Sequence, residues 1–151
     1  MASGGVPDSA KAIGSTKTYL YRRIGTKADF VNGKFVNLAT HVGISPGYQA
    51  VTEAVTKGGA QVEESAKTVE QQAQKLLSGR LDLVAADVAF VKLVDEKYKD
   101  KLEPVPALLT EAFYYLAFSS KYYNAHKTDA ETFWTEIAKV RASPAYKAKI
   151  K

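Results

Sequence analysis

The sequence predicts a three-layer α/β fold: a mainly parallel sheet with helices on both faces, an antiparallel pair of strands and a C-terminal helical segment. Strand-like and helix-like patterns alternate three times within about sixty residues, the signature of βαβ units. One strand, within "RLDLVAAD", is short and, Asp82 apart, apolar, as a strand covered on both faces would be. The length of 151 residues, with 46% hydrophobic and 25% charged residues, suits one ordinary soluble domain that buries a core without disulfides or metals.

Residues 1–16 are rich in Gly, Ser and Ala and read as a flexible arm. "KTYLYRR", residues 17–23, alternates with Tyr19 and Tyr21 on one face and Leu20 on the other, a strand. "GTKADFVNGKFVNL" reads as a loop with a turn at Asn32-Gly33. "HVGIS" is a short buried-type strand; after Pro46-Gly47, Val51, Ala54 and Val55 recur at helical spacing until Gly58-Gly59. "AQVEESA" is strand-like. Thr68 and Gln71 form a capping box for a helix with Val69, Ala73, Leu76 and Leu77 inward, closed by Gly79. Asp87 can cap the helix after "RLDLVAAD", whose stripe is Val91, Val94 and Tyr98. "LEPVPALL" is broken by prolines, and "EAFYYLAFSS" reads as another strand. Thr128 and Glu131 make a second capping box for a helix with Ala130, Phe133, Ile137 and Val140 inside, and Ser143-Pro144 opens a short last helix.

Composition removes several function classes. Without cysteine there is no disulfide framework, thiol nucleophile or thiolate metal site. His41 and His126 have no second ligand at metal-site spacing, so neither a metal nor another cofactor is expected. The net charge of +5 is concentrated at the ends: residues 1–45 carry six bases and two acids, residues 121–151 seven and three, and residues 46–120 eight and eleven. Basic residues interleaved with aromatics occur only in "YLYRR", so nucleic acid is not an expected partner. No apolar run is long enough for a membrane span. The opening "MASGGVPDSAK" lacks the features of a secretory signal, which predicts a cytoplasmic chain unless an export signal has been lost or trimmed.

Two places invite chemistry. In "ISPGYQA" a strand feeds a helix through a glycine, leaving backbone N–H groups and the positive helix end free for a carboxylate or phosphate. The spacing matches neither a dinucleotide fingerprint nor a P-loop, and by itself fits a plain βα turn as well. Asp87 ends its strand on the sheet edge where open α/β folds place ligands, and serves equally as an N-cap. Asp82 lies within the strand, five residues away, and does not form an acid–base pair with it. Ser45 lacks a nucleophile-elbow motif and an activating histidine, so catalysis is not expected. The aromatics of "YLYRR" and "FYYLAF" read as packing rather than a stacking platform.

Taken in order, "YLYRR … VNL … HVGISPGYQ … GGAQVEES … EQQAQKLLSGRLDLVAAD … YYLAFSSKY" resembles the C-terminal half of the extracytoplasmic solute-binding proteins of polar amino-acid ABC transporters, the family-3 class. "GGVPDSAK" is similar to the stretch before that family's first crossing between its two lobes. The resemblance implies a periplasmic-binding-protein-like single lobe, with core at 40–109, hinge-type strands at 17–23 and 112–119, and C-terminal helices at 128–150. It further implies that Gly47, Tyr48 and Gln49, at the helix start, hold a ligand carboxylate and that Asp87 grips an α-amino group. Tyr48 stands where many members have Thr or Ser, so that hydroxyl is displaced.

What the resemblance leaves out is nearly the whole first lobe, and with it half of the ligand clamp. The expected function is non-enzymatic binding of an amino-acid-like solute. The alternative is a relic lobe acting as an oligomeric protein-interaction domain with no ligand. Without the first lobe, the stripe Phe133/Ile137/Val140 and the "FYYLAF" strand offer apolar surface to a homodimer partner or a separate first-lobe chain, unless the tail refolds on its own lobe. The family is periplasmic or extracellular.

Overall fold

A computed structural model describes residues 8–149. The expectations on residues 1–7, including the first half of the "GGVPDSAK" stretch, and on residues 150 and 151 lie outside the described residues. The strands are β1 (Gly14–Arg23), β2 (Asp29–Val31), β3 (Lys34–Val36), β4 (His41–Gly43), β5 (Val62–Glu63), β6 (Leu81–Ala86) and β7 (Leu102–Tyr114). The helices are α1 (Gln49–Lys57), α2 (Val69–Leu77), α3 (Val88–Leu93), α4 (Ser120–Ala125), α5 (Lys127–Ala142) and α6 (Pro144–Lys149). Contacts divide the chain into two compact units: Lys17–Glu111, and the residues up to Thr16 together with those from Ala112.

In the larger unit β6 organises the sheet, whose order is β5-β4-β6-β1-β7. All six residues of β6 are buried. β4 runs parallel to both β5 and β6, while β1 runs antiparallel to β6 with Tyr19 opposite Ala86 and Tyr21 opposite Val84. Successive side chains on a strand point to opposite faces, so β6 feeds two cores from Leu83 onward. Leu81 precedes a register shift against β4, between the pairs His41 with Leu81 and Val42 with Leu83, and joins the core of Val84 and Ala86. Leu83 and Ala85 join Leu20, Val42, Val51, Val55, Val105 and Leu109. Leu81, Val84 and Ala86 join Tyr21, Ala73, Leu76, Phe90 and Val94. Thus α1 belongs to one face and α2 with α3 to the other, which makes the three layers. Gly43 permits this packing: a Cβ there would meet Leu81 Cδ1 at 2.5 Å. Asp82, 8% exposed, accepts the N–H groups of Ala39 at 2.6 Å and Thr40 at 2.5 Å and so fixes the chain's entry into β4.

The caps follow the sequence where the side chains agree. Thr68 accepts from Gln71 N at 3.2 Å, while the Gln71 side chain reaches Lys67 N at 2.8 Å rather than the capping residue itself. After α3 the chain widens into a π-helical turn, Val94–Tyr98, that keeps Val94 buried.

Several expectations require correction. The segment read as a loop around Asn32-Gly33 is a hairpin, β2 paired with β3, with both turn residues at positive φ (51° and 76°) and Phe30 stacked obliquely on Phe35 at 4.7 Å. The arm expected at 1–16 is ordered from Asp8 onward: Ser9–Lys11 form a 3₁₀ turn and Gly14–Thr16 begin β1. The strand expected at 112–119 is instead the end of β7, which starts at Leu102, passes through Pro104 and Pro106, and stops at Tyr114. Thr128 does not cap α5, because the helix already begins at Lys127 with His126 at its N-cap.

The smaller unit is built on α5. Ser119 caps α4 through Tyr122 N at 3.2 Å. Ala130 and Trp134 are the buried face of α5, and Trp134 Nε1 donates to Leu116 O at 2.8 Å. Lys11 pairs with Glu131 at 2.8 Å and lies over the Trp134 ring, while Arg141 Nη1 donates to Ala12 O at 2.7 Å. The stripe expected inside is therefore only partly so: Ala130 is buried, but Phe133 and Val140 are 53% and 57% exposed.

Candidate functional site

Parallel strands with helices between them deliver their following loops to one edge of the sheet, the edge where α/β folds hold ligands. Here β4 delivers Ser45 and the Pro46-Gly47 turn, and β6 delivers Asp87.

Asp87 uses both carboxylate oxygens. Oδ1 accepts the Phe90 N–H at 2.8 Å, which makes Asp87 the N-cap of α3, and Oδ2 accepts the Ser45 hydroxyl at 3.0 Å. The two readings of Asp87 are thus compatible in geometry, since each carboxylate oxygen has a further lone pair to offer. Ser45 Oγ in turn accepts from Gln72 Nε2 at 3.5 Å. Gln72, on α2, is 2% exposed, and its Oε1 has no hydrogen-bond partner among the described residues. A polar chain Gln72, Ser45, Asp87 therefore runs from a buried amide to a half-buried carboxylate.

The turn supplies the opposite polarity. Gly47 sits at φ +87°, a left-handed conformation that a side chain would strain, and lets the chain double back into α1. Tyr48 is the N-cap of α1 but makes no side-chain cap bond, and its ring is 48% exposed. Gln49 directs its amide along its own helix to Glu53 Oε1 at 2.8 Å. The first N–H groups of α1 thus lack a side-chain acceptor, the situation that favours an anion. No hydrogen bond among the described residues joins Gly47, Tyr48 or Gln49 to Asp87; the turn and the carboxylate are linked through Ser45, two residues before Gly47.

Beside α2, Glu63 at the end of β5 accepts from Lys75 Nζ at 2.8 Å and from Ser65 N at 2.9 Å. Burial opposes ionisation of Glu63, yet these hydrogen bonds and the Lys75 charge outweigh it and hold the carboxyl below its ordinary range. Among the described residues no three His, Cys, Asp or Glu converge as a metal site, and no helix is long and apolar enough to cross a membrane.

Sequence reading missed Gln72 and gave Ser45 only a nucleophile's part. The available signal was a glutamine three residues after Val69 and one before Ala73, on the inward side of α2, where an amide needs a partner.

No family model and no curated protein matches this chain. Solved structures do. The GluR0 ligand-binding core from Nostoc punctiforme, in complex with L-glutamate, superposes with a TM-score of 0.54 at 18% identity, over 88% of this chain and 64% of that one. Holo ArgBP from T. maritima gives 0.54 at 16% identity, over 89% and 57%. An ancestral arginine-binding protein bound to glutamine gives 0.51 at 14% identity, over 92% and 59%. The chain thus spans less than two thirds of the length of these proteins. At such identities the likeness defines architecture: the chain has the α/β fold of these ligand-binding proteins.

Proposed function

We propose that this chain is a non-enzymatic binding lobe for a small solute that carries a carboxylate and an ammonium group, as an α-amino acid does. The observation that carries the reading is Asp87, fixed by Ser45 and by the start of α3, at the sheet edge shared with the uncapped start of α1 at Gly47, Tyr48 and Gln49. One side offers acceptors for an ammonium, the other offers N–H donors for a carboxylate. The ligands named with the neighbouring structures, glutamate, glutamine and arginine-type solutes, fit this polarity. In this reading 40–109 is the lobe core, 17–23 in β1 and the segment 112–119 that begins at the end of β7 are its hinge-type crossings, and the protein is cytoplasmic unless an export signal has been removed.

The test is a thermal-shift screen against the common amino acids at millimolar concentration. A ligand that binds only the folded state stabilises it by about 2.7 kcal/mol at a hundredfold excess over its Kd. A selective upward shift that Asp87→Asn removes supports the proposal; no shift with any amino acid counts against it.

A second reading, an interaction domain whose partner is a further copy or a separate first-lobe chain, is favoured by a different observation. Phe133 and Val140 on α5, with Ile13, leave apolar surface open to solvent in the smaller unit.

A further inference from the structure

We infer that the solute taken at the Asp87 edge carries a cationic side chain, a guanidinium or an ammonium, besides its α-amino and carboxylate groups. The inference rests on the binding reading above, and adds the class of solute and the groups that select it.

A zwitterion offers one charge of each sign, and Asp87 with the start of α1 answers both. The edge carries more negative charge than that. β5 runs parallel to β4, so it too ends at this edge, and Glu64 follows its last residue. Glu64 Oε1 accepts from Thr52 Oγ1 at 3.3 Å, and the same hydroxyl lies 3.3 Å from the carbonyl oxygen of Tyr48 at the turn. Glu53, one turn into α1, accepts the Gln49 amide at 2.8 Å. Glu53, Glu64 and Asp87 thus flank the start of α1, each held by neutral donors, and among the described residues none of them forms an ion pair. The other charges of the edge do not offset them. Glu63 is paired with Lys75, and Lys67 is the single further base in the loops that follow β4, β5 and β6. Three carboxylates against one base leave two negative charges; the α-ammonium of a solute meets one, and a cationic side chain meets the other.

The buried groups point the same way. Gln72 is 2% exposed and reaches the edge through Ser45, yet its Oε1 has no partner among the described residues. Glu63 Oε2, held under the same helix by the bond from Lys75 to Oε1, has none either. Acceptors without donors favour a group that brings N–H bonds and no lone pairs, as guanidinium and ammonium do. Glu53 and Glu64 are exposed and act through water, so each is worth a factor of about two to five at low salt.

The test is isothermal titration of the full chain with L-arginine, L-lysine, L-glutamine and L-glutamate at low and at high salt. L-Arginine and L-lysine should bind roughly tenfold more tightly than L-glutamine at low salt, L-glutamate most weakly, and the preference should shrink as salt is added. The double variant Glu53→Gln/Glu64→Gln should bring the ratio of arginine to glutamine affinity to about two or less, as the loss of both carboxylates requires. Glu96→Gln, the same charge change at a carboxylate paired with Lys92, should leave that ratio as in the parent chain. L-Glutamine or L-glutamate bound as tightly as L-arginine, or a ratio that survives the double variant, overturns this selection while leaving an Asp87-dependent amino-acid site. No binding of any of the four overturns the selection and the binding reading together.

Discussion

Asp87 does two jobs with one carboxylate, and substitutions separate them. Asn retains an oxygen for the Phe90 N–H but lacks the negative charge. Asp87→Asn should therefore leave the melting temperature nearly unchanged and remove most affinity for a cationic group. Asp87→Ala also loses the cap and should cost about 1 kcal/mol of stability by chemical denaturation. Gln72 makes a contrasting case, because its Oε1 is buried with no partner among the described residues. Gln72→Leu removes an unsatisfied group, so stability should hold or rise, while Ser45 and the orientation it gives Asp87 loosen and ligand affinity falls. Glu63 supplies the pH dependence. Its folded-state pKa lies below the ordinary 4.5, so its contribution to stability is present above that value and is lost as pH falls through the lower, folded value. Acid titration of the melting temperature should show a smaller decline in Glu63→Gln than in the parent chain over that window.

The elements that were legible are those in which local pattern and tertiary demand coincide. The β6 run is apolar because both its faces are covered, and α1 and α2 show their inward residues at helical spacing. The failures have physical causes. β2 and β3 are three residues each, too short to display alternation, so only their Asn-Gly turn was visible. Pro104 and Pro106 argued against a strand, yet β7 is the edge of the sheet, and alternate residues place both missing N–H groups on the same side, where no neighbouring strand asks for them. At Thr128 and Glu131 the capping-box pattern was present, but Glu131 is taken by Lys11 and Tyr123, contacts from far and near in sequence that no local pattern encodes. The close approach of β4 and β6 at Gly43 was likewise invisible. Gly43→Ala should destabilise the chain by about 1–3 kcal/mol, the usual cost of forcing an atom into a packed core, because the Leu81 side chain must move.

Across the whole molecule, the place of the candidate residues in the fold was more readable than their support. Asp87 and the Gly47–Gln49 turn stand where β6 and β4 end, as the order of elements implied; the Gln72–Ser45 support depends on how α2 packs, which spacing alone does not reveal. If the proposed reading holds, a ligand held by one lobe keeps much of its hydration, and charge–charge attraction is weak in water compared with a closed pocket. Affinity of this chain by itself should accordingly be on the order of 1 mM, about −4 kcal/mol, and should weaken with added salt. Isothermal titration of the chain and of Asp87→Asn with L-glutamate, L-glutamine and L-arginine decides whether the Asp87 edge is a ligand site. Saturable binding of at least one of them, weakened about 10- to 100-fold in the Asn variant as loss of a charged hydrogen bond requires, is the predicted result. Binding of equal strength in both proteins, or none to either at tens of millimolar ligand, would contradict it.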